Sequence, residues 1–128
     1  MKLTSITPNL MTDDMNATVA FYQTRGFGVQ MSVPENPPYG WVMLGRDGIV
    51  LMFQSRENLA EDLPQVKAEK LGCSGLLYCN VEDVEAWHTL VSAETEIEVS
   101  LRKTFYGSTE FGFRDPNGYL IVLAERGS

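Results

Sequence analysis

The sequence holds one histidine, His88, in 128 residues. One imidazole cannot build a metal centre of several histidines, and it leaves any His-based catalytic triad with a single candidate base. Cysteine is almost as scarce. Cys73 and Cys79 stand six residues apart, which matches neither a C-x-x-C redox pair nor a zinc knuckle, and two cysteines do not make a secreted disulfide scaffold. Both are expected as small core residues. No run approaches the roughly 18 to 20 apolar residues of a membrane span, and the opening MKLTSITPNLM has no signal-peptide core. A soluble, cytoplasmic protein without a membrane partner is expected. Positive charge is short as well: ten Lys and Arg against seventeen Asp and Glu give a net charge of −7. Nucleic-acid binding, which depends on neutralising phosphates, loses its basis.

What is present is enough for one ordinary domain with a core, since 44% of the residues are apolar. The chain also repeats itself at a shift of about 70 residues. Asp14-Met15-Asn16-Ala17 opens one helical segment and Asp83-Val84-Glu85-Ala86 opens another, each after an extended stretch. Arg46-Asp47-Gly48 precedes IVLMF, and Asp115-Pro116-Asn117-Gly118 precedes YLIVLAE. The Asp-Gly and Asn-Gly pairs are hairpin signals. The first helix is expected from Asp13 to Arg25, with Asp13 or Asp14 as its cap, Ala17, Ala20 and Phe21 on its buried face, and Gly26 ending it. The second is expected from Glu82 to Ala93, with Val84, Trp87, Leu90 and Val91 on one side and acidic residues in the first turn. Extended stretches follow at Gly28–Val33 and Gly40–Leu44, then at Ile97–Arg102 and Thr109–Arg114.

The order is therefore β-α-β-β-β twice. It predicts an α+β fold of two βαβββ modules in pseudo-repeat, each a curved mixed sheet with a helix on its outer face. The modules span 1–54 and 72–128, and 55–71 connects them with a short helix interrupted near Pro64. His88 falls among core-facing helix positions and is expected as a packed or solvent-edge histidine. The carboxylates Glu82, Asp83, Glu85, Glu94, Glu96 and Glu98 read as a solvated acidic face.

With TPNLMTDDMNATVAFYQTRGFGV at its start and FGFRDPNGYLIVLAE at its end, the chain resembles the vicinal oxygen chelate superfamily of glyoxalases, extradiol dioxygenases and bleomycin resistance proteins. TPNL, AFY, GFGV and YGWVMLGRDG are most similar to the bleomycin resistance branch. The resemblance implies four metal-ligand positions, one on the first and one on the last strand of each module, and these fall at Thr7, Leu51, Leu76 and Val122. None of these residues, and none of their immediate neighbours, is a usual ligand for a divalent metal. No metal and no other cofactor is expected.

Without a metal, the concave sheet faces become an apolar and weakly polar trough. Alternation places Asn9 and Met11 on it from one module and Leu76 and Tyr78 from the other, with Leu51, Phe53 and Val122 from the closing strands. Glu110 joins them if Phe111 and Phe113 point to the helix, either as a carboxylate that would pair with a cationic ligand or as a glutamate of the surface rim. Tyr106, in a loop beside Gly107, is expected either at the mouth or packed within its turn. Trp41 aligns with Phe111 in the repeat and is expected in the core. The resemblance implies a homodimer whose interface troughs hold a small, organic, aromatic or cationic molecule, with antibiotic resistance as one possible outcome of such binding. Two alternatives stand beside this: a metal enzyme with an atypical set drawn from His88, Glu110 and Glu125, and a metal-free enzyme using Glu110 or Tyr78 for acid-base chemistry.

Overall fold

The Asp14 carboxylate accepts the Ala17 N–H at 3.0 Å and starts α1 (Met15–Gln23), immediately after β1 (Asn9–Thr12). The computed structural model describes residues 1–72 and 76–127. The expectations for Cys73 and for a strand beginning at Gly75 lie outside the described residues. The chain divides into two compact units, 1–71 and 72–128.

In the first unit the strands are β1, β2 (Gly28–Val33), β3 (Trp41–Arg46) and β4 (Ile49–Ser55), ordered β1-β4-β3-β2. β1 runs parallel to β4 and the other pairs are antiparallel. Asp47 and Gly48 both take positive φ, 51° and 77°, as the two-residue turn between β3 and β4 requires. The buried face of α1 is Thr18, Val19 and Tyr22 rather than Ala17, Ala20 and Phe21. The cause is a hydrogen bond of 2.9 Å between the Thr12 and Thr18 hydroxyls. It turns Thr18 toward the sheet, and helical spacing then brings Tyr22 over Phe53, with ring centroids 5.1 Å apart. Ala20 faces water, and Phe21 carries the Arg25 guanidinium 3.6 Å above its ring. The expected connector contains α2 (Arg56–Asp62) and a 3-10 turn at Pro64–Val66. Both belong to the first unit, where Arg56 pairs with the Asp13 carboxylate at 2.7 Å.

The second unit repeats this topology with β5 (Leu76–Asn80), α3 (Val84–Ser92), β6 (Ile97–Lys103), β7 (Ser108–Arg114) and β8 (Leu120–Arg126), ordered β5-β8-β7-β6. The Glu125 carboxylate of β8 accepts the Asp83 and Val84 N–H groups at 3.1 Å each, tying the start of α3 to the sheet. Val84 and Val91 are buried, whereas Trp87 is half-buried and Leu90 is exposed. Between the two valines, four residues on from Val84, His88 sets its ring edge against Phe111, with centroids 5.0 Å apart. It is a packed histidine.

The two hairpins differ by one register step. The β7–β8 loop spans Asp115–Tyr119, with the Asp115 carboxylate accepting the Asn117 and Tyr119 N–H groups at 2.9 Å each. Phe53 pairs with Val42, and its counterpart Leu123 pairs with Phe111. Ahead of the hairpin, then, the repeat shift is 69 rather than 70. Trp41, opposite Gln54, matches Glu110, opposite Ala124, and not Phe111.

Candidate functional site

The helices α1 and α3 each cover one face of their own sheet, so the contacts of the strands with these two helices decide which side chains are left on the other, open face. In the first unit Phe53 is fully buried against Tyr22 of α1. Leu51 has the same parity and pairs with the fully buried Leu44. This corrects the expectation for Leu51 and Phe53: both point to the helix, and Val50, Met52 and Gln54 take the open face. Asn9 and Met11 are on that face, because they pair with Met52 and Gln54. The Asn9 and Gln54 side-chain amides bond to each other at 2.9 Å. Trp41 belongs here too, a second correction that follows from the shifted register. Met31, Met43, Met52 and Asn9 form one row across four strands, and Val33, Trp41, Gln54 and Met11 form the next. The face is rich in thioethers, which adapt readily to varied apolar shapes. Strand parity counted back from a known core residue would have found Met43, Met52 and Trp41.

In the second unit Phe111 and Phe113 are buried and Phe111 meets the helix, so Glu110 and Gly112 lie on the open face. Leu76, Tyr78 and Val122 share it, Tyr78 and Val122 as direct partners. Leu76 and Tyr78 are about half exposed, at 52% and 49%. Glu110 is 2% exposed, shielded by its own polar partners on a face that carries no helix. Its Oε1 accepts the Tyr106 hydroxyl at 2.8 Å and Arg102 Nη2 at 3.3 Å. Its Oε2 accepts the Tyr78 hydroxyl at 3.0 Å and the Ser108 hydroxyl at 3.1 Å. Tyr106, in the β6–β7 loop, is thereby drawn into the site. Arg102 and Ser108 were not singled out in the sequence, although Arg102 is the cross-strand partner of Glu110.

Burial raises the pKa of Glu110, but the bonds from Tyr106, Tyr78, Ser108 and Arg102 together outweigh it and hold the carboxyl below its ordinary value. The bond to Glu110, with burial and the nearby negative charge, raises the Tyr106 phenol. The cluster is thus a Glu110 carboxylate met by the Tyr106, Tyr78 and Ser108 hydroxyls and by the Arg102 guanidinium. A carboxylate has about four acceptor directions, and four donors occupy them. The role expected of Glu110 as counter-charge to a cationic ligand therefore changes: it holds Tyr78, Tyr106 and Arg102 in place on the open face.

The positions implied for a metal do not fit one. Thr7 precedes β1, Leu76 and Val122 are aliphatic, and the open-face counterpart of Val122 in β4 is the thioether Met52. The atypical set does not converge. His88 and Glu125 serve the helix side of the second sheet, while Glu110 is engaged on the other. Among the described residues, no three His, Cys, Asp or Glu side chains come together as a metal-binding group. Cys79 lies on the helix side of β5, and burial raises its thiol pKa, which keeps it protonated and unreactive. Among the described residues no helix is long and apolar enough to cross a membrane.

The family model described as Glyoxalase/Bleomycin resistance protein/Dioxygenase superfamily matches residues 3–123. A lactoylglutathione lyase from Agrobacterium tumefaciens is similar in structure with a TM-score of 0.74 and 21% identity, over 98% of this chain and 95% of that one. A glyoxalase/bleomycin resistance protein/dioxygenase from Nocardioides gives 0.75 and 20%, over 100% and 86%. A bleomycin-binding protein solved in complex with bleomycin gives 0.65 and 21%, over 97% and 99%. At such identities the likeness is one of fold. No curated protein matches the sequence.

Proposed function

Because the chain belongs to the Glyoxalase/Bleomycin resistance protein/Dioxygenase superfamily, we propose that it binds a small organic molecule on its open sheet faces, as a homodimer and without a resident divalent metal. The observation that carries this reading is the Glu110 cluster. A nearly buried carboxylate spends all its hydrogen-bonding capacity on fixing two phenols and a guanidinium beside Leu76 and Val122. Flat apolar walls with a few fixed polar groups suit an aromatic or unsaturated ligand. Exposed Met31 and Val33 in the first unit, and Leu76 and Tyr78 in the second, are apolar area that a ligand or a second copy of the chain would cover.

Calorimetric titration with bleomycin and with simpler planar aromatic compounds tests the site. Tyr78→Ala is expected to weaken whichever compound binds by about three- to tenfold, the worth of one aromatic wall. Unchanged affinity in that variant would remove the second-unit face from consideration. Elemental analysis tests the other half of the reading. Purified protein is expected to hold well under one equivalent of Ni, Zn, Mn or Fe, and EDTA is expected to leave its melting temperature unmoved. A retained stoichiometric metal would instead favour a divalent-metal enzyme.

A further inference from the structure

We infer that the ligand of the second-unit face carries an anionic group, a carboxylate on a planar apolar body, which the Arg102 guanidinium receives while the body lies against Tyr78. This deepens the binding reading above and rests on it. The first ground is the state of Glu110. Its four acceptor directions are taken by Tyr106, Arg102, Tyr78 and Ser108. A cationic ligand reaching the carboxylate would have to expel one of these donors.

The second ground is the state of Arg102. A guanidinium has five N–H donors, and among the described residues Arg102 uses them only for one long contact, 3.3 Å from Nη2 to Glu110. Its side chain is 59% exposed. Three neutral hydroxyls already satisfy most of the carboxylate, so Arg102 is held at one nitrogen and keeps the rest of its fork for a carboxylate, which it can meet with two parallel bonds. Of the other cations on this face, Arg114 is committed to Glu98 at 2.7 and 2.9 Å, and Arg126 stands opposite Ser108 at the exposed end of β8. The net charge of −7 disfavours anions at long range, but screening confines that effect to about 10 Å in ordinary salt, while a bidentate contact acts at 3 Å.

Three probes of one shape decide the matter: naphthoate, naphthamide and naphthylmethylammonium, titrated into the intact protein by NMR with tyrosine resonances as reporters. Naphthoate is expected to bind about tenfold more tightly than the amide, and the ammonium more weakly than either. Arg102→Gln is expected to lower naphthoate affinity about tenfold more than naphthamide affinity and so abolish the preference, and Arg102→Lys to retain part of it. A purely structural role for Arg102 would lower all three affinities together. If the amide or the ammonium binds as well as naphthoate, or if Arg102→Gln keeps the preference, the anionic assignment fails while the binding reading stands. If no probe perturbs Tyr78 or Tyr106, the binding reading fails and this inference with it.

Discussion

Phe53→Ala is expected to lower stability by about 3–5 kcal/mol, whereas Met52→Ala, one residue away, should cost about 1 kcal/mol or less. The two side chains lie on opposite faces of β4. Phe53 is fully buried, packed at 5.1 Å from Tyr22 and paired across the strand with the fully buried Val42. Removing its ring leaves a cavity beneath α1 that a sheet tied to both neighbouring strands cannot close. Met52 is half-buried on the open face between Met43 and Asn9, where flexible neighbours and water can fill the space. A domain of this size has only about 5–15 kcal/mol to lose, so the urea midpoints of the two variants should separate clearly. Equal midpoints would mean that β4 presents its other side to the helix, and the open-face row of methionines would then be wrong.

That register is also where sequence reading stops. Local chemistry marks the order β-α-β-β-β twice: Asp14 and Asp83 cap the helices, and Asp47-Gly48 and Asn117-Gly118 turn the hairpins. The side of β4 is not marked, because IVLMF is apolar at every position and offers no alternation to count. Only pairing with β1 and β3 decides it. In β7 the run Glu110-Phe111-Gly112-Phe113 does alternate, and there the expected faces for Phe111 and Phe113 agree with the packing. Trp41 was misplaced by a nonlocal detail, the extra residue in the second hairpin, which shifts the repeat by one ahead of the turn. The buried face of α1 was hidden for a similar reason. Ala17 and Ala20 have helical spacing, but the Thr12–Thr18 hydroxyl bond rotates the helix away from them. At the candidate site Tyr78, Tyr106 and Glu110 stood out by residue type. Arg102 and Ser108 join through a β6–β7 ladder with irregular register between Val99 and Arg102, which strand alternation cannot foresee.

Glu110→Gln should lower stability at neutral pH by about 1–3 kcal/mol, the range for removing a charged partner from a set of buried hydrogen bonds. Glutamine keeps one acceptor oxygen but replaces the other with an NH2 donor, and every group around it, Tyr106, Tyr78, Ser108 and Arg102, is donating. With the amide oxygen kept toward Tyr106 and Arg102, the NH2 faces the Tyr78 and Ser108 hydroxyls, which must turn to accept it, and the bonds to a charged acceptor are lost. The effect should depend on pH in one direction. The folded pKa of Glu110 is depressed, so its stabilising contribution is complete above the unfolded carboxylate value of about 4.3. It fades as pH falls through the folded value, because there the proton binds the folded state as well. The gap between wild type and Glu110→Gln should be constant from neutrality down to about pH 5 and narrow below it. Asp13 and Glu98, held low by Arg56 and Arg114, destabilise both proteins alike in acid and cancel from the difference. Melting temperatures of the pair across this range provide the measurement. A gap that stays the same into strong acid, or that widens there, would show that the four donors do not hold Glu110 ionised, and the fixed placement of Tyr78, Tyr106 and Arg102 would lose its physical basis.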